Sequence, residues 1–184
     1  GLFDPGRTGG ASGRNWSHVD LNEPIPNPVF EEPIRRILGL KKQQLLDILT
    51  GREKLNGQSG GAALKSALES VDIDAEIEKH KKNVGRFTGS NRDNSVKILG
   101  YLSAAKKQGL HPSKWMMTKV PVLPPVFRPV SKLGDITLEA DINELYRDLI
   151  ETNNSIGELR KDLPDESLWE EKETLYNAVS AVMG

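Results

Sequence analysis

The sequence predicts a mostly α-helical chain: a multi-helix body with a small β element, followed by a protruding antiparallel helical hairpin. Three observations carry that expectation. Residues 139–184 show an interrupted heptad pattern, residues 31–108 hold short apolar stripes at helical spacing, and Trp115 to Leu123 is a run rich in β-formers. In the C-terminal part Ile142, Leu145, Leu149, Thr152, Ile156 and Leu159 follow one another at intervals of 3, 4, 3, 4 and 3. Leu163-Pro164-Asp165 interrupts the pattern, and Leu168, Lys172, Leu175, Val179 and Val182 resume it at 4, 3, 4 and 3. Two heptad segments joined by about six residues are expected to fold back as an antiparallel coiled coil. Thr152 and Lys172 interrupt the seam with polar groups.

The preceding elements follow from local chemistry. Residues 1–30 are dense in glycine and proline, which argues for an extended or looped lead-in. Pro33 suits a first helical turn, with Ile34, Ile37 and Leu38 behind it, and a second short helix is expected over about 41–50. Gly57, Gly60 and Gly61 break the chain before a helix from Ala62 to Glu69. Asp72 or Asp74 can cap the next helix, which carries Ile73, Ile77 and Val84. A loop is expected from Gly85 to Gly89, then a helix from about Asp93 to Gln108 with Val96, Leu99, Leu102 and Ala105 inward, ended by Gly109. After the strand, Pro124, Pro125 and Pro129 predict an irregular loop reaching Gly134.

Composition excludes several classes. No cysteine is present, which removes disulfides and thiolate zinc sites. No apolar run approaches the ~20 residues of a membrane span. Opening on Gly1 rather than Met points to a segment of a longer chain. The net charge of −1 hides an asymmetry: residues 1–138 carry 21 basic and 14 acidic residues, residues 139–184 carry 4 and 12. A basic body joined to an acidic arm suggests different partners for the two, against the alternative of merely solvated faces. No phosphate-binding loop, nucleophile elbow or HExxH motif occurs. His18, His80 and His111 lie in unrelated segments, so a metal-dependent hydrolase would require the fold to gather them. Asn15-Trp16-Ser17 and Asn153-Asn154-Ser155 match the glycosylation sequon by chance.

Lys114 to Val130, KWMMTKVPVLPPVFRPV, is similar to a diagnostic run of the large β′ subunit of multisubunit DNA-directed RNA polymerases. Asp141 to Asn154, DINELYRDLIETNN, resembles the start of that family's first clamp helix. Glu171-Lys172 and Ala178-Val179 resemble the returning helix, and Trp16 to Leu21 followed by Pro24 resembles the segment after the zinc ribbon. The resemblance spans nearly the whole chain in the family's order and is weakest over about 40–100.

The resemblance implies a clamp body over residues 1–138, with a lid loop at about 124–134, and a clamp-helix hairpin over residues 139–184. It implies a clamp that closes over DNA and docks a sigma-like initiation factor through Thr152, Asn153, Ser155, Glu158, Glu171 and Ala178. Arg128 and Lys132, in the lid, would lie near nucleic acid; Lys106, Lys107, Lys114 and Lys119 could also meet a phosphate backbone. Other polymerase subunits, DNA and RNA would be the partners, in the cytoplasm and with no membrane. The family's Asn-Ala-Asp-Phe-Asp-Gly-Asp motif does not occur. The implied nucleotidyltransferase activity and its Mg would therefore reside elsewhere in the parent enzyme, leaving this chain inactive alone and without a cofactor. One departure stands out. Where bacterial members carry arginines on the sigma-facing side of the first clamp helix, this chain has Thr152, Ser155 and Glu158. That points to a divergent polymerase of the kind a phage could encode. The alternative is a free-standing clamp-derived protein that sequesters an initiation factor.

Overall fold

The computed structural model describes all residues from Gly1 to Gly184. In chain order the elements are α1 (Pro5–Thr8), β1 (Ser17–Pro26), α2 (Glu31–Leu38), α3 (Lys42–Thr50), α4 (Gly60–Glu69), α5 (Ile73–Arg86) and α6 (Gly89–Lys107). They continue with β2 (Met116–Val122), β3 (Val130–Leu133), β4 (Ile136–Glu139), α7 (Asp141–Leu159) and α8 (Trp169–Met183). With four short 3-10 turns counted alongside these helices the chain is 60% helical, which makes the fold mostly α, as expected. β1 pairs with β2 and β3 with β4, giving two small antiparallel sheets. No helix is long and apolar enough to cross a membrane. The chain divides into two compact units, Glu23–Met117 and Gly1–Asn22 with Thr118–Gly184.

The unit Glu23–Met117 is built on helix pairs. Ile77 of α5 meets Ile98 and Leu102 of α6, with Ile37, Ile73 and Leu99 packed around them. Each fully buried aliphatic side chain contributes roughly 1.5–3 kcal/mol. The inward stripe of α6 is Ser95, Ile98, Leu102 and Ala105. Val96, expected inside, is exposed, because α5 and α2 cover a face displaced from the one apolar spacing alone suggested. α3 and α4 pack together and bury Leu45, Ile48 and Leu49 on one helix and Ala63, Leu64 and Leu68 on the other. Gly61 has no substitute here, since a Cβ would lie 1.6 Å from the Pro24 carbonyl oxygen. Asp72 caps α5 by accepting from the amides of Asp74 and Ala75, each at 3.0 Å. Gly109, at φ 66°, ends α6 in a Schellman pattern, with Leu110 N–H donating to Ala105 and Gly109 N–H to Lys106. α5 runs on to Arg86 and α6 begins at Gly89, so the expected Gly85–Gly89 loop shrinks to Phe87 and Thr88.

Two strand features outside the helix pairs were not signalled plainly by the sequence. The lead-in contains β1, whose first residues alternate between half-buried and exposed; Pro24 and Pro26 masked it as a strand. The expected irregular loop contains a hairpin. Val130 pairs with Glu139, Ser131 with Leu138, Lys132 with Thr137 and Leu133 with Ile136. Gly134, at φ 63°, takes the first turn position, as a two-residue hairpin loop requires.

α7 and α8 pack as an antiparallel pair, Ser155 and Glu170 lining one depression between them and Leu145 and Ala181 another. On α8 the expected seam residues Leu175 and Val179, together with Lys172, are buried. On α7 the buried positions are Asn143, Tyr146, Leu149, Asn153 and Ile156. Thr152, expected in the seam, is half-buried, and Asn153 beside it is inside. The reason is that α7 buries a second face, polar and hydrogen-bonded, which apolar periodicity cannot register. Asp165, in the turn before α8, pairs with buried Lys172 and with Arg160. Burial opposes the charge on Asp165, but Lys172 and Arg160 outweigh it and hold the carboxyl below its ordinary value.

Candidate functional site

The expected docking residues fall into three groups. Thr152, Ser155 and Glu171 line one shallow depression where α7 meets α8, of ≈ 370 Å³. Thr152 and Ala178 line an adjoining one of ≈ 390 Å³. Helical spacing explains the convergence: Asp148, Thr152 and Ser155 follow at i, i+4 and i+7 on α7, and Glu171, Thr174, Ala178 and Ala181 at 3, 4 and 3 on α8. Asp148, Glu151, Glu170 and Thr174 also line these depressions, and the same spacing rule would have found them.

Glu158 lies outside both depressions. It is exposed and paired with Lys161 at 2.7 Å, three residues on. Asn153 faces the other way and is buried. Its Oδ1 accepts from the Asn22 amide at 3.0 Å and its Nδ2 donates to the Asp20 carbonyl at 2.8 Å. The Asn22 side chain returns a hydrogen bond to the Asn153 carbonyl. Gly157, one turn on, leaves room, for a Cβ there would sit 3.3 Å from the Asn22 amide group. Asn153 is thus a clasp between β1 and α7 and presents no group to a docked partner.

Arg128, expected near nucleic acid, is fully buried, at 0% exposure. Its Nε donates to the Leu123 carbonyl at 2.7 Å, Nη1 to Asn143 Oδ1 at 2.9 Å, and Nη2 to the Leu2 carbonyl. The guanidinium also sits 4.7 Å from the Phe3 ring centroid and 5.8 Å from that of Tyr146. Burial lowers its pKa from the ordinary arginine value, with Tyr146 acting in the opposite sense. A guanidinium satisfied in this way organises its own loop and has no donor directed at a phosphate. Lys132, by contrast, is exposed on β3. Of the other candidate cations, Lys106 pairs with Asp74 at 2.6 Å and Lys119 with Asp20 at 3.4 Å, while Lys107 and Lys114 stand exposed.

The histidines stay apart. His18 is exposed 3.5 Å from Asp20. His80 is buried, with Nδ1 3.3 Å from Ser95 Oγ and Nε2 3.4 Å from Glu76. His111 Nε2 donates to the Val71 carbonyl at 2.9 Å, which leaves Nδ1 to accept from Ser113 N–H at 3.2 Å. No three His, Asp or Glu side chains come together as a metal site.

No family model matches the chain. Individual relatives do. The chain is 35% identical over 153 residues to the DNA-directed RNA polymerase subunit beta′ of Lactobacillus johnsonii, covering 78% of the chain and 12% of the relative. It is 34% identical over 153 residues to the corresponding subunit of Enterococcus faecalis, covering 78% and 13%. The match to Lacticaseibacillus casei is 32% identical over the same length. The chain thus spans about an eighth of the length of these relatives. Over most of its length, then, it is a divergent relative of one segment of the β′ subunit of DNA-directed RNA polymerase.

Proposed function

We propose that the chain acts in transcription as the clamp portion of a divergent β′-type polymerase subunit, with α7 and α8 as the hairpin on which a sigma-like initiation factor docks. The observation that carries this is the match to β′ subunits over 78% of the chain, joined to an antiparallel α7–α8 pair with an open groove. In this reading residues 1–138 are the clamp body and residues 139–184 the docking arm. The loop of about residues 124–134, which runs into β3, is the lid, and exposed Lys132 is its cation available to a phosphate backbone. The remaining polymerase subunits, DNA and RNA are the partners of the assembled enzyme. The sequence holds no catalytic aspartate motif, so nucleotide addition and its Mg belong to other parts of that enzyme.

The test is site-specific photocrosslinking from Ser155, an exposed groove residue, in polymerase assembled with the chain in place of its β′ counterpart. Crosslinks to the initiation factor are expected, and the same probe at exposed Lys107 should give none. A factor that crosslinks equally from both positions, or from neither, would sink the docking reading.

A further inference from the structure

Resting on that docking reading, we propose that the partner of the α7–α8 groove is an amphipathic helix whose small or apolar stripe is flanked by lysine and arginine. Among the residues that line the groove, Leu145, Ala178 and Ala181 are apolar and Thr152 is weakly polar. Its walls are carboxylates: Asp148 and Glu151 on α7, Glu170 and Glu171 on α8. No lysine or arginine lines either depression.

The counterions of this arm are committed elsewhere. Residues 139–184 contain four basic residues, Arg147, Arg160, Lys161 and Lys172. Arg147 pairs with Glu139, Lys161 with Glu158, and Arg160 and Lys172 with Asp165. All three carboxylates lie outside the groove. Within it, Glu171 Oε2 is buried and has no hydrogen-bond partner, an acceptor without a donor. Four carboxylates in one interhelical groove with no basic residue among them make a negative surface that favours an incoming cation.

Shape narrows the occupant further. From Leu145 to Ser155 the α7 wall runs roughly 15 Å, about three turns of a docked helix. Alanines at 178 and 181 allow the close approach of a helix backbone. Nucleic acid and anionic lipid surfaces share the sign of the walls and are repelled.

The experiment uses the 184-residue chain, isotope-labelled, titrated by NMR with three designed helical peptides sharing one Leu/Ala stripe. One carries Lys and Arg beside the stripe, one Glu, one Gln. The Lys/Arg peptide is expected to shift the amides of Thr152, Thr174 and Ala178. Its affinity should fall at least about tenfold in the Glu151→Gln, Glu171→Gln double variant, and similarly from about 50 to about 300 mM salt. Both substitutions lie on exposed or half-exposed positions, and an unchanged spectrum of the free variant verifies its fold. Equal groove shifts from the Glu or Gln peptide overturn the basic partner and leave the docking reading in place. No groove shifts from any peptide also overturn it, and the docking reading then stands or falls on the Ser155 crosslinks.

Discussion

Arg128 and Asn143 bind each other twice. The Arg128 guanidinium donates to Asn143 Oδ1 at 2.9 Å, and Asn143 Nδ2 donates back to the Arg128 carbonyl at 3.1 Å. Both residues are at 0% exposure, and Tyr146, one turn along α7, accepts from the Leu123 amide at 3.1 Å beside them. The proline-rich loop is thereby tied to the start of α7 through polar groups that each find a partner.

Replacing Arg128 by Lys keeps the charge and loses the planar fork, leaving two of three acceptors without a donor. A loss of about 2–4 kcal/mol in urea unfolding is expected. Lys132→Ala, on exposed β3, should stay within about 0.5 kcal/mol of the parent. Equal stability of Arg128→Lys and the parent would remove the assigned role of the guanidinium.

Asn153→Ala strips both hydrogen bonds from the clasp on β1. The expected cost is about 1–3 kcal/mol, with amide hydrogen exchange accelerated first at residues 17–22. Exchange that rises uniformly along the chain would contradict a local clasp.

Leu149 is fully buried between the two faces of α7, while Thr152, three residues on, is half-buried at the groove. Leu149→Asp places a charge in an apolar contact and should cost several kcal/mol, on the order of 3–5, with helical signal lost from residues 139–184. Thr152→Ser, which adds no charge to the groove, should leave the thermal midpoint nearly unchanged. Identical melting of Leu149→Asp and the parent would mean that α7 does not pack through this position.

Burial holds the His80 pKa below its ordinary value of 6.5; Glu76 opposes that shift and Lys79 reinforces it. The folded state therefore takes up a proton less readily than the unfolded chain. Above about pH 6.5 both states are neutral at this residue and it adds no pH dependence. As pH falls below that value the unfolded state binds the proton first, and stability is lost until the folded pKa is passed. The unfolding free energy should decline from pH 7.5 to 5.5, and His80→Gln should flatten the decline. A slope unaffected by the substitution would assign the dependence to other groups.

The helical skeleton was legible because its signals are local. Asp72, Gly109 and Pro33 act within a turn of themselves, and apolar spacing on α8 marks a helix with one dominant buried face. α7 resisted for the opposite reason. Asn143 and Asn153 are inside because Arg128, Asp20 and Asn22 meet them there, and those partners lie 15 to 133 residues away in sequence. The same long-range pairing hid the burial of Arg128 and turned two expected contact residues into internal ones. The β3–β4 hairpin carried a readable cue, Gly134-Asp135 between two four-residue runs, which the surrounding prolines outweighed. In the groove, residues outside the expected docking set, such as Asp148 and Thr174, needed only helical geometry to be placed.

Lys172 carries a practical consequence. Its side chain is 1% exposed and bound to Asp165, unlike the solvated amines of Lys107, Lys114 and Lys132. Acylating reagents modify an amine only when it is deprotonated and reachable, so this amine reacts when the arm opens and not before. The extent of its labelling, read by mass spectrometry against those solvated lysines, is a built-in gauge of how often the hairpin breathes.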